Sequence, residues 1–145
     1  MWSHFLNAHT ELTLSSAIEV IALESKKVVL FVLHSELESA YPPLNIAVGA
    51  VSSGAEVILA FGRDGVDILR SDYIPIPSKG GAYLANGLYD FGAPSIMELL
   101  EIASEMGVRF VVIDEDHVPT KWLIERKELR WILNESADAD LFVHF

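Results

Sequence analysis

Three segments of the chain are continuous apolar runs rich in β-branched residues. They are residues 27–33 (KVVLFVL), 56–61 (EVILAF) and 108–113 (VRFVVI), and a fourth run, residues 140–145 (DLFVHF), closes the sequence. Runs of this length without strict alternation are typical of strands that are buried on both faces. The pattern therefore predicts a parallel sheet covered by helices.

Helical patterns separate these strands. After the first strand, Pro42 and Pro43 precede apolar residues at helical spacing and then Gly54, which predicts a helix from the prolines to the glycine. Before the third strand, Ser95 and Glu98 form a capping box, and a glycine suits the left-handed stop of the helix. The apolar stripe and the stop of this second helix are Ile96, Leu99, Leu100, Ala103 and Gly107.

Two further helices are predicted towards the ends of the chain. The last one lies within residues 120–135, and its inward-facing residues are predicted to be Leu129, Ile132 and Leu133. A short helix near the other end starts at a second capping box, Ser16 with Glu19. It is expected to pack as an extension on the domain or to serve as an interface element, through Ile18 and Ile21.

Together these elements predict a three-layer α/β sandwich of the flavodoxin-like kind, with a mainly parallel sheet of four or five strands. Residues 27–145 form this domain, and residues 1–26 form a helical extension. The chain has 145 residues, of which 51% are hydrophobic, enough for one compact core. Residues 71–93 break every periodicity and concentrate proline, glycine and aromatic residues, which predicts a long loop that is either functional or disordered.

The chain carries a formal net charge of −11 and no cysteine. The negative charge repels phosphates, so neither nucleic acid nor an anionic membrane is expected as a partner. The lack of cysteine excludes disulfides, thiolate metal sites and thiol nucleophiles. Residues 1–10 lack a signal-peptide pattern, and no apolar run approaches the roughly 20 residues of a membrane span. A cytoplasmic protein without a cofactor is therefore predicted.

Four of the ten basic residues fall within residues 121–130 (KWLIERKELR). Glu125 and Glu128 are interleaved with them, which is typical of a solvated helix face with intrahelical ion pairs. This stretch is therefore predicted to have no binding role. The sequence Lys79-Gly80-Gly81 lacks the spacing and the preceding strand of a phosphate-binding loop, and it is interpreted as a turn.

Two long stretches together resemble the DsrE/DsrF-like sulfur-relay family. One is residues 28–70 (VVLFVLHSELESAYPPLNIAVGAVSSGAEVILAFGRDGVDILR). The other begins with residues 92–113 (GAPSIMELLEIASEMGVRFVVI) and continues through IERKEL to the closing strand. The resemblance covers residues 27–145. It implies a DsrE-like α/β fold and a homo-oligomer.

In the branch of the family that the chain most resembles, the third strand ends in the cysteine that carries sulfur. Ile113 stands at that position here, and Asp114, Glu115, Asp116 and His117 follow it. Isoleucine has no nucleophilic atom, so sulfur transfer does not carry over to this chain. The resemblance instead implies a non-catalytic binding or scaffold subunit that works beside cysteine-bearing sulfur-transfer proteins.

An alternative hypothesis concerns the polar residues at the predicted carboxyl ends of the strands, where open α/β sheets bind ligands. Imidazole and carboxylate groups there would suit a divalent metal, and an arginine would suit a small anion, with hydrolysis as a further option. The candidate ligand-binding residues are His34, Glu36, Arg63, Asp114, Asp116 and His117. Two simpler interpretations remain open, namely solvated loop ends and an ion pair of Arg63 with Asp64 or Asp67.

Three aromatic residues of the long loop, Tyr83, Tyr89 and Phe91, are candidates for a lid over the strand ends. The alternative is that they anchor the loop or fill a subunit interface, as large aromatic side chains often do.

Overall fold

The computed structural model describes residues 14–77 and 94–145. Within these residues, no helix is long and apolar enough to cross a lipid bilayer. The elements, in chain order, are α1 (Leu14–Glu24), β1 (Lys27–Val32), α2 (Leu37–Ser52), β2 (Glu56–Phe61), the 3₁₀ helix η1 (Arg63–Leu69), α3 (Ile96–Glu105), β3 (Arg109–Ile113), β4 (Glu125–Lys127), α4 (Leu129–Ser136) and β5 (Leu141–His144).

The five strands form a single sheet in the order β4-β3-β2-β1-β5, and every neighbouring pair is parallel. The prediction of a mainly parallel sheet of four or five strands is confirmed. Since all strands run the same way, their carboxyl ends meet at one edge of the sheet. That edge is where ligands bind in open α/β folds.

Side chains of the central strands alternate between two apolar clusters, one on each face of the sheet. In β1, Leu30 packs on the face covered by α1, α2, α3 and η1. Its neighbours Val29 and Phe31 pack on the opposite face, where Ile132 of α4 is the buried helical residue. Both faces of β1 and β2 are thus buried, which is why their sequences lack polar alternation. The predicted three-layer arrangement is the result.

Helix α3 follows its sequence signals closely. The Ser95 hydroxyl accepts a hydrogen bond from the Glu98 backbone N–H at 3.1 Å, as the capping box predicts. The predicted stripe is buried against the sheet: Ile96, Leu99, Leu100 and Ala103. Gly107 has a φ of 93°, the left-handed conformation that ends the helix.

Helix α2 differs from its prediction at the amino end. It begins at Leu37 and contains both prolines, whereas the sequence predicts a start near them. Proline normally disrupts a helix interior because it removes an N–H donor. Here tertiary packing compensates, since Ala40 on the first turn and Pro43 are both buried. The carboxyl end is as predicted, with Gly54 at a φ of 95°.

The segment before α4 is a second departure. Residues Glu125–Lys127 form the edge strand β4, and α4 begins only at Leu129. The prediction that Leu129 and Leu133 face inward is wrong, because their side chains are 45% and 53% exposed. The prediction for Ile132 is confirmed, since Ile132 is fully buried in the apolar cluster, and Trp131 packs there in place of the two leucines. Leu129 and Leu133 lie on a different face of the helix from Ile132.

Helix α1 packs on the main apolar cluster through Ile18 and Ala22. Its other predicted contact, Ile21, is 48% exposed. Ser16 lies inside the helix and is therefore not its amino-terminal cap, which corrects the predicted capping box. The helix lies against α2 on the same face of the sheet.

Candidate functional site

The six candidate residues all lie at the carboxyl edge of the sheet, and all six are solvent-exposed. Glu36 lines one cleft and Asp116 lines another, whereas the other four line neither. Among residues 14–77 and 94–145, no group of three or more histidine and carboxylate side chains is placed to hold a metal ion. Tyr83, Tyr89 and Phe91, the proposed lid, lie outside the described residues.

Two of the candidates occupy strained backbone positions where strands end. Arg63 has a φ of 50° and Asp114 a φ of 57°, a left-handed conformation that non-glycine residues rarely adopt. The Asp114 N–H donates to the Lys127 carbonyl at 3.0 Å, which ties the exit of β3 to the end of β4. Of the two carboxylates expected to pair with Arg63, Asp64 and Asp67, the second is instead bound by Arg70 Nε at 2.7 Å.

The first cleft, here called the β1–β2 cleft, has a volume of about 460 Å³. The Tyr73 hydroxyl donates to the Ser35 carbonyl across it at 2.8 Å. Burial, with the nearby charges of Glu36 and Asp67, raises the pKa of Tyr73 to about 12, so the hydroxyl keeps its proton at neutral pH. The cleft is lined by Ser35, Glu36, Asp67, Arg70, Asp72, Tyr73, Ile74, Ile76 and Pro77.

The second cleft, here called the β3–β4 cleft, has a volume of about 510 Å³. Three cationic and three anionic side chains line it, together with a tryptophan and an asparagine. These residues are Glu115, Asp116, Arg126, Lys127, Glu128, Arg130, Trp131 and Asn134. In the β1–β2 cleft Arg70 is paired with Asp67, whereas no cation of the β3–β4 cleft lies within 4.0 Å of a carboxylate of the described residues, although the charge of Lys127 helps to lower the pKa of Glu125.

A bidentate ion pair fixes the wall of the β3–β4 cleft. Arg109 of β3 donates from Nε and Nη2 to the Glu125 carboxylate of β4 at 2.8 and 2.7 Å. The Arg109 guanidinium and the Lys127 ammonium each lie 5.4 Å from the centre of the Trp131 ring. These contacts join the short edge strand to β3 and to the first turn of α4.

The Arg109–Glu125 pair makes stability depend on acidity. The hydrogen bond from Arg109 lowers the pKa of Glu125 below its ordinary value of 4.5. Because the pKa of Glu125 is lower in the folded protein than in the unfolded protein, the pair stabilises the fold at any pH above the unfolded-state pKa. This stabilisation is lost as the pH falls through the pKa of the folded state. We expect Glu125→Gln to cost about 0.5–1 kcal/mol at pH 7, as exposed ion pairs do, and progressively less below pH 4.5.

Urea denaturation of the wild type and of Glu125→Gln, from pH 7 to pH 3, measures the difference in their free energies of unfolding. The exposed Glu101→Gln variant is the control and should show no such trend, because Glu101 makes no ion pair with the described residues. A stability difference between wild type and Glu125→Gln that stays constant with pH would contradict the prediction.

The cationic residues of the β3–β4 cleft were not predicted as a site. Arg126, Lys127 and Arg130 belong to a stretch that suggests a solvated helix, and its expected intrahelical pairs do not form, because Glu125 binds Arg109 on another strand. The available sequence signal was Trp131, an aromatic residue placed among charges. Three residues of strand are too few to show a period of two.

The residue at the end of β3, where the resemblance predicts a sulfur-carrying cysteine in related proteins, is apolar and enclosed. Ile113 is the last residue of β3 and is only 5% exposed. It belongs to the apolar cluster on the α4 face, with Ile58 and Ile132. The residues immediately after it, 114–117, are all exposed. The end of β3 thus presents charge to solvent and an aliphatic side chain to the core.

Comparison with known proteins gives no identification. No protein-family model matches the sequence, and no curated protein matches it.

Proposed function

We propose that this chain is a non-catalytic binding or scaffold subunit of the DsrE/DsrF-like type, which works beside cysteine-bearing sulfur-transfer proteins. The proposal rests on one observation: Ile113, at the end of β3, is an enclosed aliphatic residue. The resemblance implies a sulfur-carrying cysteine at this position in related proteins. The all-parallel five-stranded sheet agrees with the fold that the resemblance implies.

The chemistry of the strand end fits binding better than catalysis. Sulfur carriage needs a thiolate, and the chain has no cysteine. Ile113 is the last residue of β3, and its side chain packs with Ile58 and Ile132. A subunit of this kind contributes surface and assembly to a complex, and another chain supplies the nucleophile.

Affinity capture of the chain at its native level, from the cells that produce it, tests the proposal directly. Cysteine-bearing sulfur-transfer proteins are expected in the eluate in stoichiometric amount. The recovered proteins are also expected to form a complex with the purified chain. Size-exclusion chromatography with light scattering measures the mass of that complex. If no such protein is recovered and none forms a complex with the purified chain, the proposal is wrong.

A gain-of-thiol variant tests the assignment of the strand end. Ile113→Cys introduces a single thiol at the family position, and Val111→Cys places a matched thiol two residues earlier on the same face of β3. Because Val111 is fully buried and Ile113 borders the exposed segment, a small sulfane-sulfur donor should modify Ile113→Cys faster. Mass spectrometry of the intact protein reports the modification. Equal rates, or a slower rate at position 113, would contradict the assignment.

The alternative function, binding of a metal or small anion by the six strand-end candidates, gains no support from their placement. Two of the six side chains line different clefts, and the remaining four line neither.

A further inference from the structure

The β3–β4 cleft holds opposite charges that are not paired with each other. Elsewhere in the described part of the chain, Lys27, Arg70 and Arg109 each contact a carboxylate within 4.0 Å. With residues 14–77 and 94–145, the cations of this cleft form no such pair, although three carboxylates line the same space. The cations are Arg126, Lys127 and Arg130, and the carboxylates are Glu115, Asp116 and Glu128.

The charges of the cleft come from separate elements. Glu115 and Asp116 lie on the segment after β3, whereas Arg126 and Lys127 lie on β4 and Arg130 lies on the first turn of α4. Backbone and side-chain contacts hold these elements in register, through the Asp114 N–H bond to Lys127 and the Arg109–Glu125 pair. A fixed frame therefore carries two carboxylates on the segment after β3 and the three cations on β4 and α4, with Glu128 between those two elements.

Two uncharged residues complete the lining. Trp131 is partly buried and packs against the apolar cluster beneath α4, so its ring forms a firm apolar surface in the cleft. Asn134 lies one turn further along α4 and offers both a donor and an acceptor. A volume of about 510 Å³ is within the range of small-molecule sites.

The overall charge decides the class of ligand. With a net charge of −11, the protein's field repels a simple anion, and the carboxylates of the cleft add to that repulsion. A molecule with no net charge but with separated acidic and ammonium groups avoids this cost and can face both kinds of charge in the cleft. We propose that the β3–β4 cleft binds a small zwitterion that carries a phosphate or carboxylate at one end and an ammonium at the other.

In this arrangement the acidic group lies against Lys127, which shares the α4 face of β4 with Trp131, and against Arg130, and the ammonium lies against Glu115 and Asp116. Trp131 contacts the carbon chain between them. The site does not depend on the proposed scaffold function, since it uses neither Ile113 nor a partner protein.

Heteronuclear NMR of the full chain with O-phosphoethanolamine as the probe tests the proposal. Saturable shifts of the Trp131 indole N–H and the Asn134 side-chain amide are expected. Arg130→Gln should weaken binding about tenfold, as the loss of a charge-assisted hydrogen bond does. Lys26→Gln is the control, because Lys26 is an exposed cation that does not line the cleft, and this variant should bind as wild type does.

Single-charge compounds separate the zwitterion from a plain ion. Inorganic phosphate and ethanolamine should each bind at least about tenfold more weakly than O-phosphoethanolamine. Asp116→Asn should weaken binding of the zwitterion but not of inorganic phosphate. The proposal is overturned if no saturable shift appears at Trp131 or Asn134, if Lys26→Gln weakens binding as much as Arg130→Gln, or if inorganic phosphate binds as tightly as the zwitterion.

Discussion

Replacing Gly65 with alanine is expected to destabilise the fold by about 3 kcal/mol or more, and to prevent folding if the backbone cannot yield. Gly65 is buried in η1, directly against the end of β1. A Cβ atom built there would lie 2.1 Å from the Val32 carbonyl oxygen and 2.6 Å from its carbon. Both contacts are with backbone atoms, so no side chain can move aside to relieve them.

The surrounding hydrogen bonds make this clash hard to relieve. The Gly62 N–H donates to the same Val32 carbonyl at 2.9 Å, and the Gly65 N–H donates to the Gly62 carbonyl at 2.9 Å. Moving η1 away from β1 would break the first bond and open the core beside β2. The glycine is therefore required by a close approach between two backbones.

Urea denaturation, followed by circular dichroism, measures the loss. Gly54→Ala is the matched control, because Gly54 has a φ of 95° but has nothing within 4 Å of the added Cβ. Its cost is the left-handed strain alone, about 1–2 kcal/mol. A loss at Gly65 equal to or smaller than that at Gly54 would show that the contact with Val32 relaxes, contrary to expectation.

Phe110→Ala is expected to cost about 3–5 kcal/mol, as truncation of a buried aromatic residue usually does. Phe110 of β3 is only 3% exposed. Its ring meets Phe61 and Trp122 edge-to-face, each at a centroid distance of 6.1 Å. The truncation therefore removes two ring contacts and leaves a cavity between the sheet and the segment that precedes β4.

Thermal and urea denaturation measure the loss of stability in Phe110→Ala. The near-ultraviolet circular dichroism signal of Trp122 should also be weaker than in the wild type. Phe142→Ala on the edge strand β5 is the matched control, since Phe142 is 39% exposed and should cost clearly less. A Phe110→Ala loss no larger than that of Phe142→Ala would contradict the expected packing role.

Long elements with strong local signals could be predicted from the sequence. Helix α3 combines a capping serine, an apolar stripe and a terminal glycine, and all three signals have the predicted structural roles. Strands β1 and β2 were predictable because a buried parallel strand needs apolar residues on both faces. In these elements, local preference and tertiary environment favour the same conformation.

Short elements with mixed signals were not predictable. β4 has three residues, too few to show a strand period, and its charges suggested a helix face. It forms a strand because its backbone pairs with β3 and because Glu125 forms an ion pair with Arg109, sixteen residues earlier in the chain. Likewise α2 retains Pro42 and Pro43 in its interior because packing of its first turn outweighs the lost hydrogen bonds.

The candidate site was predicted only in part. The sequence located polar residues at the carboxyl ends of the strands, since parallel strands must end at a common edge. It did not determine which side chains share a cleft, because the loops after each strand turn in directions that the three-dimensional packing selects. Glu36 and Asp116 consequently line separate clefts, and Asp116 is joined by Arg126 and Arg130.

The sequence by itself determined the parallel α/β architecture, the apolar core and the absence of any thiol chemistry, because each follows from residue type and local period. Only the tertiary structure decided that Ile113 is enclosed by the core. It alone decided that the cations of β4 and α4 line the same cleft as the carboxylates after β3. Both outcomes depend on contacts between residues distant in the chain, and local preferences along the sequence do not specify such contacts.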